Sequence, residues 1–240
     1  MILLKIVANA TKFEEWLGTM ATPLPIVPFN SAKDRLLLMN FTNTNTGLSE
    51  EIVQDISLFT HYLDTTLRSA KAIYGIGGYN ELRTVYSRSE VFKAVDGVEP
   101  RRLHLGIDIW GATGTEVMAP IEGRVHSFAF NKQYGDYGAT IIVEHKIDND
   151  SFYSLYGHLS LRDIEKIQVG DIIQQQQVFA HFGVPEENGY WPPHLHFQLI
   201  LDIGNYKGDY PGVCAFSERE KYLANCPNPD LLIDMMRYAQ

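Results

Sequence analysis

Histidine, glycine and aspartate alternate with apolar residues in the segment HLGIDIW. Successive side chains of a strand point to opposite faces, so His104, Gly106 and Asp108 share one face. The apolar residues between them would bury and fix the other face, and the missing side chain of Gly106 leaves space for a metal ion. An imidazole and a carboxylate are ligands that zinc accepts. The segment therefore predicts two metal ligands.

A second segment, PPHLHFQL, repeats this arrangement and places His194, His196 and Gln198 on one face. Two residues along a strand separate the histidines by roughly 6.5–7 Å at the backbone. One histidine can therefore bind a metal while its neighbour stands on the substrate side. A catalytic zinc needs three protein ligands and an open fourth position. His104, Asp108 and His196 meet that need if the two segments adjoin.

A further histidine, His158, follows Gly157 at the end of the aromatic segment FYSLYGHLS. From there its imidazole could reach the water molecule that attacks a substrate. Taken alone, a histidine at a strand end is more often a structural or surface residue. The ordered combination of HxGxD, YGHLS and PHLHF in a β-rich region indicates a metal site. The histidines outside this combination are His61, His126, His145 and His181.

These segments belong to a stretch, from Leu103 to about Leu201, whose pattern predicts β-sheet. Runs of β-branched and aromatic residues alternate there with Gly, Asn and Asp turns. No helical pattern of comparable strength interrupts them, so the strands should pair antiparallel in a twisted sheet or flattened barrel. We expect a mainly β chain with an α extension, an α+β fold.

The first hundred residues have a different pattern. Residues 1 to about 48 contain short apolar runs broken by prolines, which predict an extended arm or short strands. From Ser49, a good N-cap, apolar residues recur at helical spacing as far as Leu67. The glycine-rich YGIGGYNELRTVY then predicts loops, and the end of the chain predicts one or two short helices. We divide the chain into an N-terminal extension, 1–100, and a catalytic domain, 101–240.

Composition excludes some partners. Hydrophobic residues at 45% and charged residues at 20% are typical of a soluble globular protein. A net charge of −9, without a basic cluster, argues against a nucleic-acid partner. The N-terminus is apolar too briefly to span a membrane and lacks a charged leader, which favours a cytoplasmic location. Cys214 and Cys226 allow one disulfide or two reduced thiols.

Residues 103 to about 201 resemble the lysostaphin and LytM type of zinc endopeptidase. The resemblance rests on HLGIDIWGATGTEVMAPIEGRV, GDYGATIIVEH, FYSLYGHLS, VGDII and PHLHFQL, in this order. It implies a fold of the lysostaphin-like peptidase type and a peptide or peptidoglycan-fragment substrate. The positions that it implies for zinc ligands are His104, Asp108 and His196, and those for catalytic histidines are His158 and His194.

Two departures from that family's pattern concern the substrate. The usual Gly-Gln pair after VGD is replaced by Gln174–Gln177, and the usual Gly- and Ser-rich approach to HLHF by VPEENGYWPP. The second wording resembles a variant of the domain fused to class III aminotransferases, whose members lack secretion signals. Three functions therefore stay open: a zinc endopeptidase, an intracellular zinc hydrolase of a small peptide or amide, and a non-catalytic zinc-binding module.

Relatives are sometimes inhibited by an upstream segment that occupies the cleft. In this chain the polar segments FTNTNTG and GGYNELR offer Asn43, Asn45 and Asn80 as candidate fourth metal ligands. The alternative is that the extension simply packs beside the sheet.

Overall fold

The computed structural model describes residues 2–19, 23–94 and 98–240. The α-helices are α1 (Ile2–Leu17), α2 (Glu50–Gln54), α3 (Ile56–Ala70), α4 (Leu161–Ile164), α5 (Arg219–Asn225) and α6 (Asp230–Ile233). The strands are β1 (Leu36–Leu38), β2 (Tyr74–Gly77), β3 (Leu103–His104), β4 (Ile107–Trp110), β5 (Glu116–Met118), β6 (Gly123–Asn131), β7 (Gly138–Ile147), β8 (Asp150–Leu159), β9 (Ile172–Ile173), β10 (Val178–His181), β11 (His194–Ile200) and β12 (Val213–Cys214). Short 3-10 helices cover Val85–Arg88, Glu90–Phe92, Phe216–Glu218 and Met236–Tyr238.

Among the described residues, eight strands form one sheet in the order β1-β2-β4-β11-β8-β7-β6-β9. Every neighbouring pair is antiparallel except β1 with β2, which is parallel. Two small sheets pair β5 with β10 and β3 with β12. The prediction of a mainly β chain with an α extension and an antiparallel sheet is confirmed, apart from the parallel pairing of β1 with β2. In the described part of the chain the sheet stays open between β1 and β9.

Strand β11 is buried along its whole length and separates two environments. Its residues Leu195, Phe197 and Leu199 belong to the largest apolar core. His194 and His196 occupy the opposite face, as the alternation in PHLHFQL predicts. One face of the sheet therefore anchors the strand, while the other is free to carry polar chemistry.

The predicted amphipathic helix is present, but it is divided in two at Asp55. The Ser49 hydroxyl accepts a hydrogen bond from the Ile52 amide at 3.3 Å, which confirms the predicted N-cap of α2. The Asp55 carboxylate accepts from two amides of the first turn of α3. This second cap turns the chain while keeping one apolar face. The residues that α3 buries are Phe59, Leu63 and Leu67.

The extended arm or short strands predicted for residues 1–48 are wrong for Ile2–Leu17, which form α1. Tertiary packing stabilises this helix. Phe13 is fully buried and lies edge-on to Phe152 of β8, with ring centroids 4.9 Å apart. A short strand does occur later in the segment, at β1.

The loop predicted for YGIGGYNELRTVY is wrong at Tyr74–Gly77, which forms β2 and pairs with β4. Its glycines concealed the strand from sequence analysis because glycine has low strand propensity. Glycine is needed at position 75 because the Met39 side chain lies where a larger residue would put its Cβ. That Cβ would be 2.6 Å from Cγ of Met39. The first hundred residues thus supply β1 and β2 to the same sheet as the predicted catalytic domain, and the division at residue 100 stays a prediction.

The C-terminal segment forms the predicted short helices, α5 and α6. Cys214 and Cys226 are both free and buried, which matches the reduced alternative. In the described ranges, no helix is both long enough and apolar enough to cross a membrane.

We expect Phe59→Ala to lower the free energy of unfolding by about 3–5 kcal/mol, because a large buried ring would leave a cavity. The Phe59 side chain is fully buried, with its ring centroid 6.1 Å from those of Phe41 and Trp110. Urea denaturation followed by tryptophan fluorescence measures the change. The control is Leu58→Ala at the neighbouring helical position, which is 42% exposed and should cost far less. Equal losses would contradict this account of the core.

Candidate metal centre

The two segments that sequence analysis required to adjoin are neighbouring antiparallel strands. In the pairing of β4 with β11, Asp108 lies directly opposite His196, and Trp110 lies opposite His194. Directly opposed residues of an antiparallel pair project from the same face. The pairing register therefore brings a carboxylate and an imidazole together, although they are far apart in sequence.

His104 completes a compact group with Asp108 and His196. Its Nε2 lies 2.8 Å from Nδ1 of His196, and Oδ1 of Asp108 lies 3.1 Å from the His196 nitrogen and 3.3 Å from the His104 nitrogen. All three side chains are buried. Ligand atoms around a tetrahedral zinc ion lie about 3.3 Å apart, given bonds of 2.0–2.1 Å. The group has the donor atoms and the spacing to hold a metal ion.

The hydrogen bonds on the outer sides of the two imidazoles fix their tautomers. Nδ1 of His104 lies 3.0 Å from the carbonyl oxygen of Gly78, which can only accept, so this nitrogen carries the proton. The Gln198 amide donates to the carbonyl of Pro211, which leaves its Oε1 to accept from Nε2 of His196 at 3.0 Å. In the neutral form of each ring, the inward nitrogen is therefore the one without a proton.

Two nitrogen lone pairs and a carboxylate oxygen thus converge on one point without a proton between them. Three electron-rich atoms at such distances repel one another in a buried site unless a cation lies among them. This chemistry of the donor set fits a divalent metal. Protein oxygens on the outer nitrogens of metal-binding histidines are the usual means of orienting such ligands.

Gly106 has a different role from the predicted one. The strand is interrupted between β3 and β4, and Gly106 lies in the interruption. A Cβ at this position would lie 2.6 Å from Cε1 of His196 and 2.7 Å from the carbonyl oxygen of Phe197. The glycine therefore makes room for the His196 ring and the neighbouring backbone, rather than for the ion itself.

His158 and His194 lie together beside this group. Their rings stack with centroids 4.0 Å apart, and the other face of His194 stacks on Trp110 at 3.8 Å. Nδ1 of His158 donates to the carbonyl of Asn188 and Nδ1 of His194 to that of Pro192, each at 2.7 Å. Both Nε2 atoms are therefore left unprotonated and available to accept a proton.

Burial keeps these imidazoles neutral. Burial and the neighbouring His194 hold the pKa of His158 well below its usual value. Burial also lowers the pKa of His194 to about 3, and burial with the nearby Arg83 charge lowers the pKa of His104 to about 4. Although burial opposes it, the Arg83 guanidinium group holds the pKa of Asp108 well below its usual range. The site combines neutral imidazoles with an ionised carboxylate.

Arg83 is a site residue that sequence analysis missed. It is fully buried, and its Nη1 donates to Oδ2 of Asp108. The three asparagines proposed as fourth ligands lie elsewhere: Asn43 is exposed, Asn45 bonds the backbone of Asn40, and Asn80 accepts from Arg219. No spacing rule distinguishes Arg83 within GGYNELR, so no signal in the sequence could have found it.

The group opens into a cleft of about 320 Å³. All five predicted site residues line it, together with Arg83. Aromatic rings form much of the wall, and two carboxylates and a guanidinium group add charge. The aromatic members are Tyr86, Phe92, Trp110, Tyr137, Trp191, Tyr206 and Tyr210, and the charged ones include Arg101, Asp136 and Asp209.

Comparison with known proteins places this site in a peptidase-like segment. Residues 102–207, which contain all five predicted site residues, match the model of Peptidase family M23. The chain is 30% identical over 149 residues to the L-Ala--D-Glu endopeptidase of Bacillus subtilis (strain 168), which covers 59% of the chain and 43% of that protein. The chain thus spans less than half the length of this curated relative. Residues 102–207 are thus similar in sequence to peptidases of family M23.

The solved structures to which the chain is similar include two peptidase domains. The catalytic domain of lysostaphin from Staphylococcus simulans is 20% identical, with a TM-score of 0.38, and the match covers 68% of this chain and 96% of that one. The catalytic domain of EnpA from Enterococcus faecalis is 21% identical, with a TM-score of 0.34, and the match covers 50% and 87%.

We expect Gly106→Ala to weaken metal binding sharply, because the added methyl group would displace the His196 ring. Metal retained per chain after dialysis against a weak chelator measures the effect. Gly47→Ala is the control, since a Cβ there would meet its nearest neighbour at 3.4 Å, an ordinary contact. Wild-type metal content in Gly106→Ala would show that the His196 ring position is not critical.

Proposed function

We propose that this chain is a zinc-dependent metallopeptidase that hydrolyses peptide bonds, with peptidoglycan-derived peptides as the substrate class. His104, Asp108 and His196 would hold the zinc ion. His158 and His194 would handle protons. The observation that carries the proposal is the convergence of three unprotonated ligand atoms within 3.3 Å of one another, beside two free imidazole nitrogens.

A zinc ion held here would polarise the scissile carbonyl and make water a better nucleophile near neutral pH. Nε2 of His158 or His194 accepts the proton of the attacking water. It can do so because the ring proton lies on Nδ1, which donates a hydrogen bond to a backbone carbonyl. The protonated imidazole can then stabilise the developing oxyanion or donate to the leaving amine. Asp108 is not the base, since Arg83 binds its Oδ2 and the zinc ion would be held by its Oδ1.

Two observations favour an enzyme over a non-catalytic zinc module. All five side chains are present and line the same cleft. In the described ranges, Nε2 of His158 and Nε2 of His194 are bound to no other protein group. A purely structural metal site would not need two such free acceptor nitrogens beside the ligands. The tight stacking of Trp110, His194 and His158 further fixes the two bases in place.

The substrate class rests on the Bacillus subtilis relative, whose name describes cleavage between L-Ala and D-Glu. A cleft walled by aromatic rings and lined by both carboxylates and guanidinium groups suits a peptide that carries charges of both signs. The resemblance to the domain fused to class III aminotransferases stays a prediction. It favours soluble peptide fragments over the intact cell wall.

Removing the metal should abolish hydrolysis. We expect a strong chelator to stop cleavage and one equivalent of zinc per chain to restore it, because the proposed reaction needs the metal ion to polarise the scissile carbonyl. Elemental analysis and a cleavage assay with purified peptidoglycan, its soluble stem peptides and unrelated peptides measure this. Persistent cleavage in the metal-free protein would contradict the proposal. Cleavage of unrelated peptides alone would contradict the substrate class.

Single substitutions should separate metal binding from proton transfer. We expect His196→Ala to lose both zinc and activity. His158→Ala and His194→Ala should keep zinc but lose about a hundredfold to ten-thousandfold in turnover, the usual value of a general acid or base. The control is His61→Ala, an exposed position on α3, which should match the wild type. Full turnover in both of the catalytic variants would contradict the assigned roles.

A further inference from the structure

We propose that Arg83 is a positioning residue of the metal centre, which limits Asp108 to a single metal-binding oxygen. The inference rests on the proposed metal site and extends it to a residue outside the segment that matches the peptidase family. Arg83 precedes that segment, residues 102–207, by about twenty positions in sequence. It nevertheless contacts a predicted metal ligand directly.

The guanidinium group of Arg83 is held from several sides. Its Nη1 donates to Oδ2 of Asp108, and its Nε donates to Oε2 of Glu81 at 2.7 Å. The hydroxyl of Tyr86 lies 3.4 Å from Nη1, and the ring of Phe41 lies beneath the group at 5.0 Å. The side chain is only 2% exposed. A flat, five-donor fork held in this way has a single orientation.

This orientation divides the two oxygens of Asp108 between two tasks. Oδ1 faces the ligand nitrogens of His104 and His196, while Oδ2 is bound to Arg83. A charge-assisted hydrogen bond in a buried site holds its partner strongly. The carboxylate therefore cannot rotate to present both oxygens to the same ion. A coordination position stays open for substrate or water, as a catalytic zinc site requires.

The same short loop also orients His104. The carbonyl of Gly78 accepts from Nδ1 of His104, and the backbone amide of His104 donates to the carbonyl of Glu81. Glu81 in turn fixes Arg83. Residues 78–83 thus determine the tautomer of one ligand and the binding mode of another. The N-terminal region is part of the metal centre rather than a separate appendage.

Cobalt substitution tests this, because the visible absorption of Co²⁺ weakens as its coordination number rises. We expect Arg83→Lys to bind Co²⁺ ten- to hundredfold more weakly, the usual effect of removing an outer partner of a ligand, and with a less intense visible band. The lysine keeps the charge but cannot bridge Glu81 and Asp108. Glu81→Gln keeps Arg83 but weakens its hydrogen bond to residue 81. This variant should reduce the intensity of the visible band by a smaller amount.

Arg88→Lys is the matched control. Arg88 is also buried, lies in the same part of the chain and packs over Trp191, but it bonds Tyr134 instead of a predicted ligand. This variant should match the wild type in Co²⁺ affinity and spectrum. A wild-type protein that binds no Co²⁺ would overturn the proposed metal site and this inference with it. Wild-type affinity and spectrum in both Arg83→Lys and Glu81→Gln would overturn the inference alone.

Discussion

The site depends on one electrostatic constraint: three ligand atoms without protons converge on one point where their side chains are buried at the cleft. Without a cation this arrangement is unfavourable, because buried acceptors that lack donors lose their hydration without compensation. The pairing of β4 with β11 supplies the rigidity to hold it, since His196 lies opposite Asp108 in a fully buried part of the sheet. Burial of the apolar face of β11 in the large core provides the free energy that keeps the polar face in this geometry.

A common device prepares all four histidines of the cleft. Each donates a hydrogen bond from one ring N–H to a protein oxygen. The acceptor is a backbone carbonyl for His104, His158 and His194, and the side-chain oxygen of Gln198 for His196. The other nitrogen is then left as a lone pair that faces the cleft. In the proposed function, two of these histidines bind the metal ion and the other two accept protons. What distinguishes them is position: His104 and His196 face Asp108, whereas His158 and His194 stack on each other and on Trp110.

The region before residue 100 contributes more than cover for the sheet. Strand β2 pairs with β4, and the loop that follows β2 carries the carbonyl of Gly78 and the guanidinium group of Arg83 to the predicted ligands. Behind them, α3 packs Phe59 against Trp110, the residue on which His194 stacks. The proposed metal centre therefore has supporting contacts beside its predicted ligands and beside its predicted proton acceptors. Each set of contacts originates partly outside the segment that matches the peptidase family.

Local alternation in the sequence determined which residues could share a face, so the grouping of His104, Asp108 and His196 could be predicted without a structure. The β-rich core and the capped helix at Ser49 could be predicted in the same way. Such patterns depend only on the period of a strand or helix. Other features depend on contacts between distant parts of the chain. Helix α1 is supported by Phe152, β2 exists because β4 pairs with it, and Gly106 is needed because of the His196 ring. Arg83 became visible only in the folded chain, because its role is defined by the position of Asp108 rather than by any spacing within its own segment.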